Sequence, residues 1–454
     1  MALATGKTMR LAPTSGLSHA HRMPALLASA ILHPSPWMVL PFALLLLCIA
    51  VAPMVVAHHW ERHYPKVAVT LGLITAGYYY FGLGAGEAIA HALQEYISFM
   101  ALVGSLYVIS GGINIGVKGE ATPLRNTLFL LMGAVLANII GTTGASMLFI
   151  RPWIRMNRHR ITGFHIVFFI FIVSNVGGCL TPVGDPPLFL GFLRGVPFWW
   201  VLQHCWQAWA LVLALLLGMF YALDARHFLC APKQVRHEAR TPEKWSFKGL
   251  PNLLFLAVVL SAVFIDPGMK LGIFTLASVV MIVAAAASYF TTRPEVHEAN
   301  YFNFHPVKEV GWLFIGIFLT MLPALDLLKG GEGITLRSPL QYYFACGGLS
   351  AFLDNAPTYL TFLATEMGAK HLDVGNSADV RIFVAQHPAV LVAISLGAVF
   401  FGAGTYIGNG PNFMVKAIAE KARVKVPGFL SYLLGYSLPF LLPVLIAVGW
   451  LLVR

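Results

Sequence analysis

Apolar segments of about 20 residues recur along the whole chain, and they decide what it can fold into. A helix needs about 20 mostly apolar residues to cross the hydrocarbon core of a bilayer. Composition agrees, because the chain is 58% hydrophobic and only 11% charged, which excludes an ordinary soluble domain. We therefore predict an all-α polytopic membrane protein with about ten transmembrane helices. The predicted spans are 38–57, 67–83, 91–115, 164–188, 199–222, 249–266, 270–290, 310–328, 385–409 and 427–453.

Two further apolar segments are interrupted at their middles by polar or helix-breaking residues. In 127–149 the interruption is GTTG at 141–144, and in 340–365 it is DNAP at 354–357. A polar apex between two short apolar arms suits a re-entrant hairpin, which enters the bilayer and leaves by the same face. We therefore predict one such hairpin in each segment.

The positive charge of the chain collects in six loops. If both hairpins are re-entrant, these loops share one face and hold 20 of the 30 Lys and Arg residues. The positive-inside rule places that face in the cytoplasm. We therefore assign the net charge of +11 to membrane orientation and not to nucleic-acid binding, and we expect a bacterial inner (plasma) membrane protein. The loops are 58–66, 116–126, 150–163, 223–248, 291–309 and 413–426.

The order of segments in the first half is repeated in the second. Each half has three spans, a hairpin, an interrupted span and a final span. The interrupted spans share the pattern T-x-V/I-G-D/N-x-P, at 181–187 and 405–411. Because the two halves begin on opposite faces, the pattern predicts an inverted-topology repeat.

The predicted organisation follows from this repeat. Residues 1–37 form a weakly structured N-terminal segment, 38–222 the first repeat, 223–248 a basic cytoplasmic linker and 249–454 the second repeat. Whether 23–35 adds another crossing is left open. The five cysteines are scattered without the spacing of metal ligands, so no metal site is expected.

The interrupted spans combine proline, which removes a backbone donor, with glycine, which leaves helical angles readily. Unpaired carbonyls are costly in hydrocarbon, so segments 174–187 and 402–412 must line a cavity or bind a ligand. Freed carbonyls and Asn, Ser and Thr oxygens suit Na⁺, while helix N-termini suit an anion. We expect the two segments to form opposite walls of a mid-membrane site that the hairpin apices close.

Two acids, Asp185 and Asp354, lie in these elements. An ionisable group at membrane depth is costly and is by default functional. A carboxylate binds Na⁺ when ionised or a proton when neutral, so competition for one acid suffices for cation/proton exchange. Structural roles stay open beside this one: Asp185 as a turn residue at a helix end, and Asp354 as the N-cap of the second hairpin arm.

Four strings in this chain resemble the ion transporter superfamily, and most closely the NhaD-type sodium/proton antiporters and the related citrate-transporter-like proteins. They are ANIIGTTGAS at 137–146, SNVGG at 174–178, TPVGDPP at 181–187 and DNAPT at 354–358. The resemblance covers about 40–450. It implies a scaffold domain and a transport domain, a homodimer and an elevator-like movement. The Ser-Asn-Thr apices of dicarboxylate carriers are absent from this sequence.

By motif match, the resemblance implies which residues bind the cation and the proton. The first half contributes Asn138, Thr142, Thr143, Ser146, Ser174, Asn175, Thr181 and Asp185. The second half contributes Asp354, Asn355, Thr358, Thr405, Asn409 and Asn412.

Sodium/proton antiport is the function that we predict, with Na⁺ and H⁺ as the transported or coupling ions, no cofactor and no catalytic residue. The partners expected are a small inorganic cation or small anion and the lipid bilayer. Cation-coupled uptake of citrate or another carboxylate is the alternative. That function would require a cationic residue in the cavity to bind the substrate, and neither wall shows one. Oxyanion efflux of the arsenite type is a third candidate. An intramembrane enzyme is disfavoured, because motifs such as HExxH are absent from the spans.

Overall fold

The computed structural model describes residues 34–116, 121–232, 246–266, 268–300, 302–329 and 336–453. Most of the predicted N-terminal segment, including 23–33 of the optional crossing, and part of the linker lie outside the described residues. Helices dominate the described chain, which confirms the all-α fold class. The strands are short antiparallel pairs: β1 (Asn114–Gly116) with β2 (Ser246–Lys248), and β3 (Lys270–Leu271) with β4 (Phe274–Thr275).

Seven helices form the described first half. They are α1 (Leu40–Val55), α2 (Ala57–Gly77), α3 (Gly86–Gly111), α4 (Pro123–Met156), α5 (Gly163–Ile172), α6 (Pro186–Arg194) and α7 (Trp200–Cys230). Several of the predicted loops of this half are partly or wholly helical, and residues 150–156 of one of them belong to α4. Residues 58–66 belong to α2 and are not a loop, and α7 continues beyond the predicted end at 222. A helix satisfies its own backbone hydrogen bonds, so it can continue past the apolar residues that a hydropathy pattern detects.

The described second half contains twelve helices. They are α8 (Asn252–Ala262), α9 (Leu276–Thr291), α10 (Pro294–Ala299), α11 (His305–Thr320), α12 (Leu322–Lys329), α13 (Pro339–Ser350), α14 (Asn355–Ala369), α15 (Ser377–Gln386), α16 (Pro388–Phe401), α17 (Gly410–Lys421), α18 (Phe429–Tyr432) and α19 (Leu442–Leu452). A π-helical segment, Leu433–Leu441, makes α18 and α19 nearly continuous.

Several described helices are long and apolar enough to cross a membrane, which confirms the polytopic membrane fold. The pair α15 and α16 is a further candidate, but their axes differ by 102°. The bend falls at Pro388, and a proline disfavours helical angles in the residue before it. The count of about ten spans stays a prediction. The long candidates are Gly86–Gly111, Pro123–Met156, Trp200–Cys230, His305–Leu328 and Phe429–Leu452.

Helix α4 is a hairpin and not a straight span. Its chain reverses at Gly141, whose φ of 75° and ψ of 155° are accessible mainly to glycine. Asn126 Nδ2 donates to Asn157 Oδ1 at 2.8 Å although the two residues are 31 positions apart. A straight helix would separate them by roughly 45 Å. The first predicted hairpin is therefore confirmed in shape.

Helices α13 and α14 form the second hairpin. Tyr342, near the start of α13, donates its hydroxyl to the carboxylate of Glu366, near the end of α14. The chain reverses over 351–354, slightly before the predicted apex, because Asp354 is the N-cap of α14. Its Oδ1 accepts from the backbone N–H of Ala356 at 3.0 Å. The N-cap role for Asp354 is confirmed.

Both predicted interruptions are present. Helices α5 and α6 are separated by 173–185, and α16 and α17 by 402–409. In each interruption the motif threonine holds the backbone of the neighbouring hairpin. Thr181 Oγ1 donates to the Asn138 carbonyl oxygen and Thr405 Oγ1 to that of Ala351, both at 2.5 Å. These equivalent contacts support the repeat, while its inverted orientation in the membrane stays a prediction.

Candidate functional site

The two interrupted segments meet through Asp185 and Asn409. Each residue occupies the N-cap position of its helix, α6 or α17, and neither side chain caps that helix. Instead, Asn409 Nδ2 donates to Asp185 Oδ1 at 3.1 Å. The helix-end position expected for Asp185 is therefore present, but its carboxylate is directed to the other half of the molecule.

The Asp185 carboxylate is bound entirely by neutral donors. The residue is 1% exposed. Thr142 Oγ1, from the first hairpin, donates to Oδ1 at 2.8 Å, and Asn355 Nδ2, from the second hairpin, donates to Oδ2 at 2.7 Å. Together with Asn409, these donors come from three separate elements. No lysine, arginine or histidine in the described ranges forms an ion pair with this carboxylate.

A second set of buried polar groups adjoins this carboxylate. Asn409 Nδ2 also reaches Asn175 Oδ1 at 3.1 Å and the Ser174 carbonyl oxygen at 3.2 Å. Asn175 Nδ2 donates to Asn412 Oδ1 at 2.7 Å, and the hydroxyls of Ser174 and Ser146 are 2.7 Å apart. These predicted site residues are therefore one connected network, and Asp185 supplies its charge.

Asn355 has one side-chain atom that the protein leaves without a partner. The residue is fully buried, and its Oδ1 accepts no hydrogen bond from the part of the chain that the structure describes. A buried acceptor without a donor is destabilising unless a ligand or water satisfies it. Amide, hydroxyl and carboxylate oxygens are the ligands that hard cations such as Na⁺ prefer. The residues around Asp185 fit such a cation.

The side chains of four predicted site residues form hydrogen bonds with backbone groups. Thr181 and Thr405 hold the hairpins, as described above. Asn138 Oδ1 accepts from the Leu180 N–H at 2.8 Å, and Thr358 Oγ1 donates to the Asp354 carbonyl oxygen at 2.9 Å. None of the four contacts the Asp185 carboxylate, so their cation-binding role stays a prediction. The contacts of Asn138, Thr181 and Thr405 hold the interrupted segments against the hairpins, and Thr358 bonds within its own helix.

The other acid, Asp354, lines a cavity of about 320 Å³ together with Thr143 and Asn409. Lys416 of α17 also lines it, which corrects the expectation that no cationic residue lies near the walls. Lys416 follows Asn409 by seven positions, which places both on one helix face. That spacing could have grouped Lys416 with Asn409, but its place in the cavity depends on how α17 packs.

The inner cavity adjoins a larger one of about 800 Å³. The two share Glu309 and Glu420 among their lining residues. The larger cavity is also lined by Arg151, Arg155 and Lys421, which come from the predicted cytoplasmic loops. The approach to Asp354 therefore lies on the basic side of the molecule.

A buried ion-pair network lies outside this site, and the sequence does not predict it. Asp224, assigned to the linker, is fully buried in α7. Its carboxylate accepts from Arg160 Nη2 at 2.8 Å and from Asn126 Nδ2 at 2.8 Å, and lies 3.1 Å from His165 Nε2. Asn126 in turn binds Asn157. The network therefore ties both ends of the first hairpin to α7.

His165, Asp224 and His227 have ligand atoms within 4.8 Å of one another, a spacing that a metal ion could use. However, the guanidinium of Arg160 already binds the same carboxylate. A metal cation there would face that positive charge at close range. We therefore interpret the cluster as a structural ion-pair network.

Comparison with known proteins identifies a family. A family model described as “Putative citrate transport” matches residues 32–453. This range includes both hairpins, both interrupted segments and the cavity. No curated protein matches the chain.

Proposed function

The chain belongs to the family described as “Putative citrate transport” and is therefore a secondary transporter, and we propose that it exchanges Na⁺ for protons at Asp185. Membership of a transporter family also disfavours the alternative that the protein is an intramembrane enzyme. The exchange requires a site that either ion can occupy and that both cannot occupy together.

The observation that carries this proposal is the buried Asp185 carboxylate with neutral donors alone. Hydrogen bonds from Thr142, Asn355 and Asn409 orient it but leave its negative charge uncompensated. A buried charge without a counter-ion is strongly disfavoured. A proton or a bound cation removes that penalty, and each excludes the other. This competition couples the movement of one ion to that of the other.

Further features of the proposal come from the sequence. The inverted orientation of the halves, a homodimer and an elevator-like movement follow from the repeat and the resemblance. A bacterial inner membrane with the basic loops in the cytoplasm follows from the distribution of Lys and Arg. The matching contacts of Thr181 and Thr405 support the repeat.

Proton flux in proteoliposomes tests the exchange. The purified protein is reconstituted with a pH-sensitive dye inside the vesicles, and a Na⁺ pulse is added outside. We expect Na⁺-driven proton efflux with the wild type and none with Asp185→Asn, which keeps the shape of the side chain but cannot ionise. The exposed Asp266 provides the control substitution, Asp266→Asn. Wild-type flux in Asp185→Asn would show that the acid is not the exchange site.

Cation-coupled transport of citrate or a related carboxylate is the second candidate. The cavity beside Asp354 and Asn409 has a volume of about 320 Å³, which is far more than a single cation needs. Pockets for small organic ligands begin at roughly this size. Radiolabelled citrate distinguishes the two functions: accumulation driven by a Na⁺ gradient supports the carboxylate carrier, and Na⁺-driven proton flux without citrate supports the antiporter.

A further inference from the structure

The inner cavity has an uneven distribution of charge. Its acidic lining residues are Glu309, Asp354 and Glu420. Among the described residues that line it, Lys416 alone carries a positive charge. An anionic ligand that entered this space would therefore have one favourable position, at Lys416.

The ammonium group of Lys416 is held by aromatic rings. Its Nζ lies 5.3 Å from the ring centroid of Tyr406 and 5.9 Å from that of Phe413, within the range of cation–π attraction. The side chain is 25% exposed. These contacts therefore hold the Lys416 side chain at the cavity wall.

The ion-pair partner of Lys416 is easy to replace. Glu420 Oε1 lies 3.4 Å from Lys416 Nζ, one turn further along the same helix, and the Glu420 side chain is 51% exposed. An ion pair of this kind contributes little to stability. A carboxylate that arrives from the cavity could therefore take the place of Glu420 at small cost.

We propose that Lys416 is a carboxylate-binding subsite, occupied by Glu420 when no substrate is present. The inference rests on the second proposed function, carboxylate transport, and assigns one residue that would bind the carboxylate. The nearby acids Asp354 and Glu309 would repel additional substrate carboxylates. A cation that enters with the substrate would offset this repulsion, which is consistent with cation coupling.

The test measures citrate binding to the purified full-length protein by titration calorimetry in the presence of Na⁺. We expect Lys416→Gln to weaken binding by about tenfold, because a hydrogen bond between charged groups is lost. Lys416→Arg should retain most of the affinity. Glu420→Gln should strengthen binding by roughly twofold, because the internal competitor is gone. Lys421→Gln is the matched control, since Lys421 lies on the same helix and lines the outer cavity.

The opposite directions expected for Lys416→Gln and Glu420→Gln separate this proposal from a structural ion pair, which both variants would break alike. Equal effects of the two variants, or unchanged affinity in Lys416→Gln, would overturn the subsite and leave citrate transport standing. A wild-type protein that does not bind citrate would overturn the subsite and citrate transport together. Na⁺-driven proton flux would then still test the antiporter.

Discussion

The two interrupted segments have matching backbones and differ at the residue where they meet. In the first segment a Cβ on Gly184 would collide with the backbone of Gly178, and in the second a Cβ on Gly408 would lie 2.6 Å from the Gly402 carbonyl oxygen. Both segments therefore need the same close crossing of the chain. The two segments therefore share this local backbone feature.

The two segments place different side chains at their meeting point. The first segment supplies the acid Asp185, and the second supplies the amide Asn409, which donates to it. Two ionised acids at this separation would repel each other, and one of them would have to be protonated. An acid opposite an amide leaves a single exchangeable charge. The two segments therefore contribute different side chains to one site.

Substitutions at Asp185 and Asn409 should have the largest effect on transport. Asp185→Asn alone removes the charge and should abolish Na⁺-driven proton flux. The double variant Asp185→Asn/Asn409→Asp returns one acid to the same meeting point from the other segment. We expect part of the flux to return, measured in proteoliposomes at matched protein content. Flux in the double variant no higher than in Asp185→Asn would mean that the two positions are not interchangeable.

Adding a methyl group at the glycine of either close crossing should destabilise the protein. Gly184→Ala should lower the free energy of unfolding by about 3 kcal/mol, and Gly408→Ala should lower it similarly, because each new methyl group overlaps backbone atoms. Thermal unfolding in detergent measures the loss. Gly410→Ala is the control, since a Cβ there meets nothing within 4 Å. Equal melting temperatures for all three variants would contradict the tight crossing.

The donors to Asp185 should have a smaller effect. Thr142→Ala removes one of three hydrogen bonds to the carboxylate and should raise the Na⁺ concentration for half-maximal flux by roughly fivefold. Thr143→Ala, at the adjacent position on the cavity side, should change it little. A larger effect of Thr143→Ala than of Thr142→Ala would indicate that the cation binds in the cavity and not at Asp185.

The sequence predicts the interruptions and hairpins well because their causes are local. Clusters of glycine, proline and polar residues inside apolar segments favour a break in the helix, so 174–187, 402–412 and the two apices could be identified directly. The acid at Asp185 follows from the same argument. Helix ends such as those of α2 and α7 were less predictable, because charged residues continue a helix without an apolar signal.

Contacts between distant parts of the chain were beyond the sequence argument. Nothing local indicates that Asn355 would bind Asp185 and leave its own Oδ1 open. Lys416 appeared to belong to a cytoplasmic loop, and its place in the cavity depends on how α17 packs. The N-cap role of Asp354 could be predicted from its position, but its place in the cavity lining could not. Such roles depend on three-dimensional packing.

The ion pair between Arg160 and Asp224 has a consequence for biosynthesis. The arginine leaves the ribosome 64 residues before its carboxylate, with the whole interrupted span in between. During that interval the guanidinium and the ends of the first hairpin lack the partner that α7 supplies later. Completion of α7 is therefore the earliest moment at which this part of the nascent chain can mature. A split of the chain between α4 and α7 would place Asn126 and its partner Asp224 on separate fragments.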